Sequence, residues 1–524
     1  MIRFFPPLGL LSLLAGCSSY DFEAASSNDS AWDSEASYTE AAADTGSNGG
    51  DDGLGSEEEN DFLGLRPATT SKYVFVVNTE RDTVTRISVP SLEVVTTSVG
   101  VRPSVVVTSS DYTRAVTFNQ GSDTVSIIDA ETLDVVEVDV RDNLNAMVMS
   151  PDGRWAICYH DLAADDGSDP ISGSISYNEI SIVDLEDAIH YEAVVGTFPH
   201  DVKFTDDSAT AVVVSDDYLA VIELGGGKES APDRIALSAD TIDPPVAEEI
   251  LLDPAGQYAF VRQYGVSELV LVDLVSRNTS GLLVGANPTD MDLSPDGSEA
   301  IVVARGSSEL WVYDMADPVA EPTVIAMPND VVFGSLLMSP DDTQGLLYST
   351  ASGQARYGVW DRASDSVDVY SLVKPVSGIG VSPVGGTALI FHSEENGDIA
   401  TESPFYDEFA LTLIDLDDFF TNPIQLAAEP TSYANAADGL TGFFIMEGSE
   451  HVGVLDYETL IHDTQSLPSA PVYLGVLPDT NTAYISQEHD LGRISFYNPE
   501  ADVADGESEL QTVTGFELNS AIDQ

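Results

Sequence analysis

The chain has 524 residues, 43% of them hydrophobic, with 89 acidic against 19 basic side chains and a formal charge of −70. It is apolar enough to fold, but too long for one conventional core unless the fold repeats. A surface this negative repels nucleic-acid phosphates and anionic lipid headgroups, which argues against a nucleic-acid partner and leaves cations, basic proteins or neutral glycans.

The chain opens with MIRFFPPLGLLSLLAGCSS: a basic Arg3, an apolar run, then small residues. This is the order of an export leader, and the run is too short to stay behind as a spanning helix. Its end, LAGC from Leu14 to Cys17, resembles the lipobox of bacterial lipoproteins. The resemblance implies that 1–17 is a signal peptide and that Cys17 becomes the acylated first residue. Ser18 and Ser19 follow where an Asp would retain such a protein elsewhere, so the resemblance also implies the outer membrane, with the chain facing the periplasm or the cell surface. The membrane is then met only through the lipid. Residues 18–70 are rich in Ser, Gly, Ala, Asp and Glu, without apolar periodicity. Such a segment cannot bury enough surface to offset its chain entropy, and is expected to be a disordered acidic tether spanning roughly 40 Å.

From Tyr73 the texture changes to short runs of Val, Ile, Thr and Tyr between Gly, Asp, Ser and Pro clusters, the mark of many short antiparallel strands. One phrase recurs as MSPDGRWAICY, LSPDGSEAIVV, MSPDDTQGLLY and VSPVGGTALIF. Ser-Pro-Asp-Gly is turn chemistry, because Pro presets φ, Asp bonds its own backbone and Gly accepts positive φ. Each copy therefore reads as a hairpin, with Asp152 and Asp296 in structural roles. A second phrase follows (TVSIID, EISIVD, ELVLVD, ELWVYD, ALTLID, HVGVLD), a strand ending in an Asp able to cap the next turn. With a third run leading into the next hairpin, the unit is four strands in about 45 residues, the period of a β-propeller blade.

The stretch YVFVVNTERDTVTRISVPSLEVVTTSVGVRPSVVV resembles the YVTN-type β-propeller repeat, with Val77 where that pattern has Thr. The resemblance covers 71–524 at repeat level. It implies an all-β fold of four-stranded antiparallel blades and says little of function, because propellers host unrelated activities. Ten units can be counted, with a seven- or eight-bladed ring carrying divergent extra strands as the alternative. The first unit lacks an innermost strand, and GFELNSA near the C-terminus is expected to supply it and close the ring. Units three and eight carry long insertions after the second strand, each beginning after a His (His160, His392) and rejoining through Tyr177-Asn178-Glu179 or Tyr406-Asp407-Glu408. That spacing suggests a duplication of five blades.

No catalytic signature is present: no nucleophile elbow, no zinc-protease motif, no phosphate loop and no paired Cys-x-x-Cys. Cys158 is expected to be a small buried apolar side chain. His160 and His200 fall on one face with the insertions, and His160, Tyr177, His200 and Tyr406 are the candidate binding face. Asp161, Asp165, Asp166 and Asp169 are weak candidates for holding a divalent cation such as calcium through oxygen ligands. Arg102, Arg262 and Arg305 are expected to pair with carboxylates. The leading function is a monomeric, lipid-anchored binding or scaffold module for a protein or glycan. The alternative is a propeller enzyme of lactonase or oxidoreductase type, with a site at the central channel mouth.

Overall fold

The computed structural model describes residues 68–162, 177–239, 245–501 and 508–516. The leader, Cys17 and nearly all of the tether lie outside them, and among the described residues no helix is long and apolar enough to cross a membrane. The rest is a ring of ten antiparallel sheets, nine of them four-stranded. In chain order the blades span 73–98, 103–139, 146–194, 199–236, 247–283, 288–326, 335–371, 378–426, 430–466 and 471–514. Each blade runs from the centre outward, and successive strands pair in order. The ten-unit count therefore stands over the seven- or eight-bladed alternative.

The local chemistry behaves as the sequence predicts. In blade 3 the Ser150 hydroxyl donates to Asp152 at 2.6 Å, Arg154 N–H donates to the same carboxylate at 3.0 Å, and Gly153 takes φ 68°. In blade 6 Asp296 accepts from the Ser294 hydroxyl at 2.9 Å and from the Ser298 N–H and hydroxyl at 2.9 and 2.6 Å. The Asp closing the third strand caps the turn that follows. Asp129 accepts from Glu131 and Thr132 N–H at 3.0 and 2.7 Å, and Asp273 from Val275 and Ser276 at 2.9 and 2.8 Å.

The core is divided in the same way. Both faces of each blade are apolar, and ten separate clusters each fill the gap between one blade and the next. One of them joins Leu477, Tyr484, Ile494, Phe496 and Phe516 of the tenth blade to Val74, Val76 and Ile87 of the first, so the ring is closed. The first blade has three strands among the described residues, and a bridge between Thr69 and Val74 begins to fill its innermost place. The described fold thus reaches back to 68–70, a little before the expected boundary at 71. The outermost strand of the last blade is Leu510–Thr514. Gly515 and Phe516 are described, but the rest of the expected closing strand, from 517 on, lies outside the described residues.

Candidate functional site

In every complete blade the second-to-third connections and the starts of the innermost strands lie at the same end of the strands, which defines one face of the ring. The insertions of blades 3 and 8 both leave from this face, after Trp155–Tyr159 and after Thr387–His392. Five blades apart in a ring of ten, they stand on opposite sides of the channel.

On the blade 3 side the candidates come together. His160 is buried, with its Nδ1 donating to the Asn143 carbonyl at 3.1 Å. Its ring lies 5.5 Å from that of Tyr177, which in turn lies 5.1 Å from Phe198. His200, at the head of the blade 4 innermost strand Pro199–Phe204, donates from Nδ1 to the Phe198 carbonyl at 3.1 Å. The same nitrogen is 3.9 Å from Asp216. Burial raises the Asp216 carboxyl above the usual carboxylate range, with Asp217 adding to the effect and His200 opposing it. The result is a strip of alternating imidazole, phenol, phenyl and imidazole ending in a carboxylate, with exposed Tyr177 as its accessible apolar surface. Phe198 and Asp216 escaped the sequence reading. Their signals were an aromatic residue before a strand-starting Pro and an acidic pair in the tight connection of blade 4.

Tyr406 belongs to the other side, half-buried at the end of the blade 8 insertion. This loop is fixed by Lys374, a lysine with no exposed surface, whose ammonium donates to the carbonyls of Glu394 at 3.0 Å and Glu408 at 2.5 Å. Burial lowers the Lys374 ammonium below the ordinary lysine range, against the opposing fields of Asp407, Glu394 and Glu408. Inside the clamp the Asn396 amide and Asp407 exchange hydrogen bonds, and Asp398 accepts from Ala355 N–H at 3.0 Å in the neighbouring blade. Gly397 has φ 51°, and a Cβ there would stand 2.0 Å from the Gly353 carbonyl oxygen, so only glycine passes. His392 is fully buried, donating to the Pro375 carbonyl and accepting from the Thr412 hydroxyl, both at 2.8 Å. His160 and His392 each bond a carbonyl 17 residues earlier, the same device in blades five apart.

Of the cation candidates, Asp161 is buried and its backbone is clasped by Asn145, at 2.7 Å to its N–H and 2.8 Å to its carbonyl. Asp165, Asp166 and Asp169 lie outside the described residues. Among the described residues no group of three or more His, Cys, Asp or Glu side chains is arranged to hold a metal ion. Arg262 forms ion pairs with Glu248 and Glu249, and Arg305 is buried. The Arg102 N–H bonds Asp82 at 2.8 Å. Cys158 is buried and its thiol is pushed far up by desolvation, which leaves it inert.

No family model and no curated protein matches this chain. Among solved structures it is similar to the crystal structure of a eukaryotic initiation factor, with 10% identity over 76% of this chain and 96% of that one and a TM-score of 0.51. It also matches the dihydro-heme d1 dehydrogenase NirN in complex with DHE, at 13% identity over 78% and 77% of the two chains and a TM-score of 0.44. A third match is apo AztD from Citrobacter koseri, at 14% identity over 68% and 94% and a TM-score of 0.41. At these identities the likeness is one of fold alone.

Proposed function

We infer that the protein is a monomeric cell-envelope module, anchored through acylated Cys17, that binds a protein or glycan with the face carrying the two insertions. The observation that carries this reading is the anchoring of the blade 8 insertion. A four-stranded blade needs only a short turn at that point, yet a fully buried lysine is committed to holding both ends of the longer loop. Burying an ammonium is costly, so a loop fixed in this way has a defined shape to present. On the other side of the channel the Asn145 clasp fixes the exit of the blade 3 insertion. Tyr177 and Tyr406 offer apolar area with a hydrogen-bonding tip, the chemistry enriched at interfaces.

Two measurements test the reading. Cys17→Ser should release the protein from membranes, and an acylated variant that still sediments with them contradicts the anchor. A photo-crosslinking residue placed at position 177 or 406 should join the protein to the same envelope component in intact cells. One placed at exposed Val384, on the opposite face, should not. Equal labelling from all three positions would overturn the assignment of the face.

A further inference from the structure

Apolar side chains are spread unevenly over the end of the ring that carries the insertions. Among the described residues, Leu162 and Tyr177 of blade 3 are exposed there, as are Val246 and Tyr264 of blade 5. The connections of blades 6 to 9 at that end expose no large aliphatic or aromatic side chain. The Tyr264 N–H donates to the Val246 carbonyl at 2.9 Å, which makes the blade 5 pair one patch. Contiguous apolar surface of this kind marks an interaction site more often than scattered single residues do.

Blade 4 lies between the two patches and presents a fixed edge. The Phe198 N–H donates to the Tyr177 carbonyl at 2.7 Å, and the Asp216 N–H to the Thr197 carbonyl at 3.0 Å. The Asp217 carboxylate accepts from the Thr197 N–H at 2.9 Å. A Cβ on Gly196 would stand 2.8 Å from that carboxylate and 2.5 Å from Ser215, so the glycine lets it approach. Residues 177, 197–198 and 216–217 are thus locked to one another by their backbones. Phe198 takes φ 52°, a conformation that the matching links give to Arg102, Asn143 and Asn287. A bulky ring is costly in that place, and here it extends exposed Tyr177 into a two-ring platform.

The charges of this arc are one-sided. Its cations are already engaged: Arg141 pairs with Glu179, Arg262 with Glu248 and Glu249, and Lys203 stands 3.6 Å from Asp201. Among the described residues, Asp217 and exposed Asp142 and Glu268 have no ion pair, and Asp216 has only the 3.9 Å approach of His200. A cation beside Asp216 would offset the burial that holds its carboxyl up. Carboxylates only accept, so they match a group that only donates, an ammonium or a guanidinium. An aromatic face attracts the same groups. An anion is repelled here, and a sugar hydroxyl brings no charge to match.

We propose that blades 3 to 5 of the insertion face take a lysine- or arginine-bearing segment of a partner protein, with a cationic side chain over the Tyr177 ring against Asp216 and Asp217 and apolar side chains of the segment on Val246 and Tyr264. This rests on the reading that the insertion face binds at all, and it chooses a basic protein over a glycan as the partner. The backbone bonds that lock residues 177, 197–198 and 216–217 together hold the seat in shape before the segment arrives, which lowers the entropy cost of binding.

The test titrates the mature full chain by calorimetry with a peptide bearing Lys and Leu and with its Gln-for-Lys and Glu-for-Lys counterparts. Spermine serves as a free cation, and maltotetraose and chitotetraose as neutral glycans. The Lys peptide should saturate the protein and bind more tightly than every other probe. Tyr177→Ala, and Asp216→Asn combined with Asp217→Asn, should each weaken it about tenfold. Asparagine at 217 keeps an acceptor for the Thr197 N–H, and near-ultraviolet circular dichroism confirms the fold. Asp317→Asn combined with Glu321→Gln removes the same charge from the opposite face and should leave binding unchanged. The proposal is overturned if the Lys peptide fails to saturate, if spermine binds as tightly, if the variants at 177, 216 and 217 bind as the parent does, or if the opposite-face variant loses as much. Saturation by a tetraose that Tyr177→Ala abolishes would overturn it while sparing the insertion-face reading, which falls only if crosslinking from 177 and 406 fails.

Discussion

His392 shows how one buried side chain makes stability depend on pH. Desolvation pushes its imidazole down to about 4, with the Lys374 charge adding to the effect and the Pro375 carbonyl opposing it. The unfolded chain takes up a proton near pH 6.5. Between these values the unfolded state binds a proton that the folded state refuses, so stability is fully present above about 6.5 and falls as pH drops toward about 4. The total is on the order of 3 kcal/mol. Replacing His392 with Gln should abolish that part of the pH dependence. The gap between urea midpoints at pH 7 and pH 4.5 should then be smaller in the variant than in the parent, and an equal gap would contradict it. His190, also lowered by burial, remains in both proteins and cancels. Asp296 acts in a lower window. Its carboxyl is held below the usual range, first by the Ser298 hydroxyl, so its contribution is lost only as pH falls through that depressed value. Asp296→Ala should cost about 1 kcal/mol at neutral pH, measured by denaturant unfolding.

At the scale of an element, the blade 8 insertion is a loop stabilised by one cation. Lys374→Met keeps the stem but leaves the Glu394 and Glu408 carbonyls without their donor. We expect a loss of about 2 kcal/mol and faster proteolysis within 393–408, with the rest of the ring resistant. Cleavage rates equal to those of the parent would show that the loop holds its shape without the clamp. The hairpins and third strands could be read in the sequence because their determinants are neighbours: Ser150 reaches Asp152 across two residues, and Asp129 reaches Thr132 across three. Lys374 could not be read in the same way. In LVKPVSG it looks like any loop lysine, and its acceptors lie 20 and 34 residues away.

At the scale of the whole molecule, the ring is held by ten interfaces of similar construction, and the one joining blade 10 to blade 1 closes it. Phe516 lies at that junction, 5% exposed, over Gly492, where a Cβ would stand 2.6 Å from its ring. Phe516→Ala should cost about 3 kcal/mol. Because blade 1 has only three strands among the described residues, opening this seam should lower the calorimetric transition as a whole rather than split off one blade. A separate low-temperature transition, or no change, would contradict this account of closure.

While the choice of ten blades over seven or eight came from the ten sheets, the sequence alone determined the all-β class, the four-strand repeat, the hairpins with their Asp caps and the two insertions. All of these follow from turn chemistry and from strand alternation within a few residues. It also placed His160, Tyr177 and His200 on one face, because a repeat carries its geometry from blade to blade. Only the tertiary structure decided that the Phe198 ring packs against Tyr177 while its carbonyl accepts from His200, and that the lysine of LVKPVSG is a clamp. Contacts between blades were equally closed to the sequence. Arg362 meets Glu299 across 63 residues, and Gln344 meets the Leu416 carbonyl across 72. Such contacts depend on how neighbouring blades pack, and packing is set by volume and burial over the whole interface, which no local spacing encodes.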